Sequence, residues 1–591
     1  MKKVALISTP WPLFNRPSIQ LASLKAFLKQ KIPELEIDNL HIYLRIAYKI
    51  GYEVYNKISD SSWLSESIYA WILYPEKRDA IKKLWKKLGK KILADGSIEL
   101  EKLCELVKRE SELVINQIDW SKYFLAGFSI CFSQLTSSIY FLKEIKERFP
   151  ELKIVVGGSC CSAEMGESLK SLFKEIDYVI QGEGEIPLYN LVSSLLKGEE
   201  PDISPAQITD LNSIPVPEYS DYFRQAKEIT KGNPFQAKLP LEISRGCWWG
   251  KCAFCNLNIQ WKGYRVKSAK KVAAEIDELV KRYQLLSISF MDNLIPASSE
   301  ALFNEIHSLG KDLRMFSEIR ADTPLKSLIL MGKAGMKEVQ VGIEALSSRL
   351  LKKMKKGTSA IQNIEIMKNC EADGMPKLVG NMILQFPGSD EKDVEETMRN
   401  LDFVFPFSPL KGIPFWLGYC SYVWRNPKKF GIKISGNHSN YSCIFPQGIV
   451  DRAVFMIQGY KGQIREQKRL WKPVQEKIKE WKRFYDELHS VPKSEPILSY
   501  QDGGDFLIIR HRISKQKTIV HKLKGLSRRI YLFCERNRSI SEILLQFPSL
   551  DSLKLVPFLK MMVDKKVMFS EGDRYLSLAV PANGWRHLWN I

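Results

Sequence analysis

The sequence predicts an α/β chain made of two parallel-sheet units in series, followed by a mainly helical C-terminal region. Three observations predict it. Short β-branched runs alternate with helical patterns over residues 1–200, a second such series runs over 238–430, and the pattern then turns helical and aromatic. A length of 591 residues leaves room for three or four domains. With 45% hydrophobic and 26% charged residues, the composition is that of a globular chain and not a disordered one. No run approaches the ~18 consecutive apolar residues of a spanning helix, which excludes a helical membrane span. The opening MKKVALISTPWPLF has an apolar run too short for a signal peptide, broken by Pro10. It reads as a first buried strand, and the expected location is the cytoplasm.

In the first unit the strands are VALIS (4–8), LEIDNL (35–40), FLAGFSI (124–130), KIVVGG (153–158) and DYVIQG (177–182). Small residues end several of them, among them Ser129, Gly157, Gly158, Gly182 and Gly184. In a doubly wound, flavodoxin- or Rossmann-like sheet the carboxyl ends of the strands form the ligand crevice. Glycines there admit a large ligand to the backbone. The long lysine-rich segment between the second and third strands reads as a helical insertion, and 201–237, with Pro201, Pro205, Pro215 and Pro217, as a linker.

The second unit, 238–430, offers LEIS (241–244), SISFMD (287–292), MFSEIRA (315–321), EVQVGIEAL (338–346) and KLVGNMILQF (377–386). A sixth candidate lies near FWLGYCSYV (415–423). Such a partial (β/α)6 barrel carries its site where the strands end. Residues 431–591 begin with helical stretches such as KIKEWKRFYDE. A compact tail follows from about 515, with helices RRIYLFCE and SLKLVPFLKMMVDKK and the hairpin VMFSEGDRYLSLAV.

Eleven cysteines is an odd count, unsuited to a complete disulfide framework. Cys247, Cys252 and Cys255 crowd into ISRGCWWGKCAFCNLN (243–258), directly after the first barrel strand. Three thiolates on one loop can hold three irons of a 4Fe–4S cluster and leave the fourth iron open. A structural zinc loop would need a fourth ligand, and no other His or Cys is near in sequence. Phe254, before the last cysteine, can pack over the cluster and over an adenine. Glu318 and Arg320 alternate on one strand and share a face, as do Gln340, Gly342 and Glu344. Trp248, Trp249 and Trp261 read as packing residues, and no acid–base dyad stands out. Lys and Arg exceed Asp and Glu by 88 − 67 = 21. That excess suits an anionic partner, but segments such as KRDAIKKLWKKLGKK (77–91) read as solvated helix faces, and charge alone names no partner.

On SRGCWWG (244–250), RPSIQLASLKAFL (16–28), GGSCCSAEMG (157–166), DYVIQGEGE (177–185), QVGIEALSSRLLKKMKKGTS (340–359), QFPGSDE (385–391) and GDRYLSLAV (572–580), the chain resembles the radical S-adenosylmethionine (SAM) superfamily. The resemblance is closer to its cobalamin-binding branch, and within it to enzymes that mature ribosomally made peptides. In one departure, four residues separate Cys247 from Cys252 where the superfamily usually has three. The resemblance implies a 4Fe–4S cluster on Cys247, Cys252 and Cys255, with SAM at the open iron. It implies SAM contacts from Phe254, Met291, Asp292, Asn293, Glu318, Arg320, Gln340, Gly342, Glu344 and Asn381, with Gly342 leaving room for adenosine. It also implies cobalamin in the first unit, against Pro10, Ser129, Gly157, Gly158, Ser159, Gly182, Glu183 and Gly184. None of the seven histidines stands in the Asp-x-His-x-x-Gly string that places a His under cobalt, so no protein histidine is expected there.

The activity this implies is methyl transfer to an unactivated sp3 carbon of a precursor peptide (leader plus core). A 5′-deoxyadenosyl radical removes the hydrogen and methylcobalamin donates the methyl group. The cofactors carry the chemistry, and no catalytic side chain is assigned. The alternatives are another peptide modification (epimerisation or a crosslink) or the modification of RNA. RNA-modifying relatives usually append a β-barrel of short strands, which the tail does not show. Neither nucleic acid nor membrane is expected as a partner, whereas an external electron donor such as flavodoxin or ferredoxin is. The tail resembles winged-helix-like modules that hold leader peptides, its hairpin offering a strand edge, unless it only caps the barrel.

Overall fold

The computed structural model describes residues 3–89, 99–230, 234–490 and 495–585. β1 (Lys3–Ser8), β2 (Glu36–His41), β3 (Tyr123–Ser129), β4 (Lys153–Gly157) and β5 (Tyr178–Val179) form a parallel sheet in the order β2-β1-β3-β4-β5. This order reverses direction between β1 and β3, where a crevice opens at the carboxyl ends. All five expected strands are present. The last is short, because the chain leaves the ladder ahead of Gly182, whose φ of +77° turns it away. The insertion folds as helices, and helix Arg78–Leu88 buries Ile81, Leu84 and Trp85 while its lysines face solvent. Lys90 and Lys91 of that basic segment lie outside the described residues. Glu66, on helix Ser62–Leu73, fastens the insertion to the sheet: its carboxylate accepts from the N–H groups of Leu135 (3.0 Å) and Thr136 (2.8 Å), orphan donors at a helix start.

The second unit contains β6 (Leu239–Leu241), β7 (Ser244–Arg245), β8 (Arg265–Val266), β9 (Ser287–Phe290), β10 (Arg314–Arg320), β11 (Met336–Glu344), β12 (Lys377–Leu384) and β13 (Lys411–Pro414). Six of these form a parallel sheet in the order β13-β12-β11-β10-β9-β6, an open part-barrel with helices outside. Two boundaries differ from expectation. The first strand ends at Leu241 because the N–H groups of Ile243 and Ser244 bond Asp292 instead of the sheet. The sixth strand is Lys411–Pro414 and not 415–423. Residues after Pro414 leave for a small antiparallel sheet of β14 (Leu417–Gly418), β15 (Lys433–Asn437) and β16 (Ile457–Lys461), so the aromatic run beside β13 belongs to another element.

The C-terminal region is less helical than its pattern suggests. β17 (Leu498–Asp502), β18 (Phe506–Arg512) and β19 (Thr518–Lys524) precede helices Gly525–Phe533, Ile540–Gln546 and Ser552–Asp564. β20 (Arg538–Ser539), β21 (Met568–Glu571) and β22 (Arg574–Ser577) form a second sheet, and β23 (Val580–Pro581) returns beside β17. The tail therefore begins at β17, ahead of residue 515. The string Asp502-Gly503-Gly504-Asp505 between two apolar runs is the hairpin signal that marks β17 and β18. Among the described residues no helix is long and apolar enough to cross a membrane.

Candidate active site between the two sheets

Cys247, Cys252 and Cys255, on the loop after β7, line one cavity of about 880 Å³. The N–H groups of Gly250 and Leu257 point at Cys247 Sγ and Cys255 Sγ, each at 3.5 Å, a donor arrangement that favours thiolates. Asn258 Oδ1 and Thr358 Oγ1 are buried at the same cavity without a hydrogen-bond partner. Among the described residues no three His, Cys, Asp or Glu side chains converge as a single ion requires. Three thiols spread around one cavity suit a multi-iron cluster better than zinc. The long gap between the first two cysteines is taken up at Gly250, whose φ is +60°.

The two tryptophans of this loop are anchored. Trp248 Nε1 donates to Ile295 O and Trp249 Nε1 to Lys355 O, each at 3.1 Å. A Cβ on Gly357 would overlap the Trp249 ring, so only glycine fits there. The Arg320 guanidinium lies over both indoles, 5.2 and 4.5 Å from their centroids. Its Nε donates to Asp322 (3.0 Å) and its Nη2 to Lys356 O (3.0 Å), which leaves Nη1 for a ligand. Arg320 is thus chiefly a positioning residue.

Carboxylates gather at the ends of β9, β10 and β11. Glu318 stands beside Gln340 and Arg320 beside Gly342 in the register of β10 and β11. Burial, with Glu344 and Asp292 nearby, pushes the Glu318 carboxyl up to about 7, against the pull of Lys356. Glu344 sits at a φ of +64°, a strained position for a side-chain-bearing residue at a strand end. The sequence reading passed over Lys356, which is 6% exposed and whose Nζ lies 3.4 Å from Glu344 Oε1. A Cβ on Gly342 would come within 2.5 Å of that Nζ. In this structure Gly342 makes room for Lys356 and not for adenosine. The signal was available: Lys356 precedes the glycine that the loop tryptophan requires. Excess carboxylate with one lysine is a donor set that fits a ligand carrying a sulfonium, an ammonium and a carboxylate.

Other expected contacts are placed differently. Asp292 is buried and accepts from the N–H groups of Ile243 and Ser244 and from Ser244 Oγ (2.8 Å), so it ties β9 to the cysteine loop instead of facing an amino group. Burial and Glu242 push it up to about 7. Met291 faces the first sheet. Asn293 is half-buried at the end of β9. Phe254 and Glu344 line a further cavity of about 470 Å³, walled by Trp63, Ile383 and Trp416. Asn381 precedes Ile383 by two residues on β12 and shares its face.

A third cavity, of about 230 Å³, lies between the two units. Ser129, Gly157, Gly158, Ser159, Gly182 and Gly184 line it from the first sheet, and Arg245, Trp261 and Met291 from the barrel. The two sheets therefore meet at their carboxyl ends. Gly158, at φ +101°, would place a Cβ 2.7 Å from Ile130 O. Glu183 also lines the cavity, but its oxygens are held by Arg245 (2.7 Å) and Arg265. Arg245, 5% exposed, also pairs with Glu185 (2.6 Å) and Glu242 (2.9 Å). Glu183 is accordingly a clamp between units. Pro10 does not line the cavity; its carbonyl accepts from Ser137 Oγ. Among the described histidines none lines it, and His587 lies outside the described residues. His41 is enclosed with Tyr43 and Tyr222, and burial lowers its pKa to about 3.

Residues 241–401 match the family described as the radical SAM superfamily. The second unit is a radical SAM domain. Such a domain implies a 4Fe–4S cluster and SAM, and the cysteine loop and the carboxylate-lined strand ends both fall inside it. An uncharacterized methyltransferase of Pyrococcus horikoshii is 28% identical over 245 residues, 38% of this chain and 52% of its own length. The hopanoid C-3 methylase of Methylococcus capsulatus is 26% identical over 267 residues, 42% of this chain and 51% of its own. The chain thus spans about half the length of these curated relatives. The solved structure of the radical SAM methyltransferase TsrM from Kitasatospora setae superimposes with a TM-score of 0.52 at 12% identity, over 81% of this chain and 89% of that one. That likeness is one of fold.

Proposed function

We propose that the chain is a cobalamin-dependent radical SAM methyltransferase acting on an unactivated sp3 carbon of a ribosomally synthesised precursor peptide. The observation that carries this reading is the meeting of two parallel sheets at their carboxyl ends, glycine-lined on one side and thiol- and carboxylate-lined on the other. The fold shared with TsrM, described with cobalamin and a [4Fe-4S] cluster bound, supports it, as do relatives named methyltransferase and methylase. SAM and the cluster would supply a 5′-deoxyadenosyl radical, and cobalamin the methyl group. The chain's own residues position these groups. Glu318 and Glu344 face the cationic part of SAM and Lys356 its carboxylate. Asp292 and Arg245 fix the cysteine loop against the glycine-lined cavity, which would take part of a cobalamin. Trp63, Phe254 and Trp416 wall the approach and limit water.

The tail supports a peptide substrate. Its order from Gly525 onward, helix, strand, helix, helix, strand, strand, is winged-helix-like. Its hairpin, however, is turned onto the barrel: Phe569 packs on Phe403 (5.2 Å) and Glu571 accepts from Ile361 N–H (2.8 Å). The open edge is β19, where Ile519 and Val520 are 38% and 50% exposed between Lys517 and Lys522. An extended acidic leader adding as a strand fits this edge. Cytoplasmic location and an external reductant belong to the same proposal. The test is co-expression with a candidate precursor peptide in medium containing methyl-deuterated methionine. The peptide should gain a methyl group that carries the label. A peptide that stays unmethylated while SAM is cleaved to 5′-deoxyadenosine overturns the methyltransferase reading.

A further inference from the structure

The cavity lined by the three cysteines opens on a face that carries cations and no carboxylate. Lys251, Lys352, Lys355 and Arg425 line it, and its lining includes no Asp or Glu. Lys429 adds to them, sharing the Tyr422 ring with Lys355 at 5.7 and 3.4 Å. The contrast along helix Ser348–Lys353 is direct. Arg349 and Lys353 both pair with Asp393, at 3.0 and 2.5 Å. Lys352, between them and the cavity, pairs with no carboxylate in the described ion pairs, and neither do Lys251, Lys355, Arg425 or Lys429. Lys251 lies over Trp249 at 5.1 Å. Aromatic rings orient such cations without neutralising them. Unpaired like charges around one opening repel each other, and an anionic partner relieves that repulsion.

Resting on the proposed cluster at Cys247, Cys252 and Cys255, we infer that this face is the docking surface for an acidic one-electron carrier protein of the flavodoxin or ferredoxin class. One electron leaves the carrier's reduced cofactor, which is oxidised, and enters the cluster, which is reduced; no bond is formed and no proton moves. The surface accounts for part of the chain's basic surplus. Complementary charge speeds encounter, and redox interfaces are small and weak, so screening by salt should tell strongly here. An acidic leader has its own place on β19, on the tail.

The test uses the reconstituted enzyme, an acidic flavodoxin and the variant Lys352→Glu/Arg425→Glu, two exposed positions outside the SAM site. Two quantities are read: binding of oxidised flavodoxin to immobilised enzyme, and bleaching of the cluster by reduced flavodoxin or by dithionite. In the wild type, flavodoxin binding and reduction should weaken as salt rises. In the variant both should fall at least tenfold at low salt and lose most of their salt dependence, while dithionite bleaches the cluster as before. Lys522→Glu/Lys524→Glu on β19 should change neither. Unchanged flavodoxin binding and reduction in the first variant overturns the inference. So does a wild type that binds RNA but no flavodoxin on this face. A wild type with no cluster that dithionite can reduce overturns the proposed function itself, and this surface with it.

Discussion

The two parallel sheets present the same kind of crevice to each other and furnish it in opposite ways. The barrel's strand ends carry three thiols, Asp292, Glu318, Glu344 and Lys356. The first sheet's ends carry Ser129, Ser159 and four glycines. Charge suits a small zwitterion and a metal cluster, whose partial charges reward placed counter-charges. Glycine and serine suit a large ligand held by shape and backbone groups, where a side chain would block approach. Where the first sheet's loop does carry charge, Glu183 and Glu185, a barrel arginine neutralises it. Charge at the boundary joins the units; charge beyond it meets the ligand.

The largest expected effect separates the two faces outright. Replacing Cys247, Cys252 and Cys255 with Ala should remove all reconstituted iron, measured by colorimetric assay, while the absorbance of bound cobalamin survives. Iron retained in the triple variant would mean that the barrel face is not where the metal sits. Next comes the clamp. Arg245→Met leaves Glu185 and Glu242 buried beside an apolar side chain, which should cost about 3–5 kcal/mol in denaturant unfolding. Adding Glu185→Gln should recover part of that loss, since the two positions are coupled. An additive pair of losses would show that Arg245 does not act through Glu185.

A matched pair of glycines sharpens the comparison further. Gly158→Ala sets a Cβ 2.7 Å from Ile130 O at a φ of +101°. Backbone cannot step aside, so the cost should be about 1–3 kcal/mol of stability together with lost cobalamin binding. Gly342→Ala meets only the far end of Lys356, 2.5 Å away. The ammonium can move, so thermal stability should hold while SAM affinity, followed by equilibrium dialysis, falls about tenfold. Equal losses of stability in both variants would erase the distinction between a backbone-lined and a side-chain-lined cavity.

What was legible in the sequence follows from this contrast. Strand ends rich in glycine, and cysteines close in sequence, are local signals, and seven of the eight residues expected around the glycine-lined cavity do line it. Side-chain roles set by distant partners were not legible. Nothing local says that Asp292 turns back to the backbone of Ile243, that Glu183 answers Arg245 from another unit, or that Gly342 accommodates a lysine fourteen positions on. The sixth strand was misplaced for a related reason: KGIP has one β-branched residue, and only its pairing with β12 makes it a strand. The tail's first sheet was passed over although its Gly-Gly turn was in view.

The smallest effect concerns protons at the barrel face. Glu318 is raised from 4.5 to about 7 by burial and by carboxylate neighbours. A carboxyl whose folded pKa exceeds its unfolded value stabilises the fold below the unfolded value, and that contribution is lost as pH rises through the folded one. Without SAM, then, the protein should lose stability between pH 6 and 8 from this group. SAM brings cations that favour the ionised form, so its affinity should rise over the same interval, by up to about tenfold. Its thermal shift should likewise be larger at pH 8 than at pH 6. Glu318→Gln should flatten both trends at a modest cost in affinity. Asp292 is also pushed up to about 7, but its oxygens already bond the cysteine loop, so it should contribute to iron retention and not to SAM affinity. If the pH trend in SAM affinity persists in Glu318→Gln and disappears in Asp292→Asn, the proton sits on the loop anchor, and the ligand-facing role passes from Glu318 to Asp292.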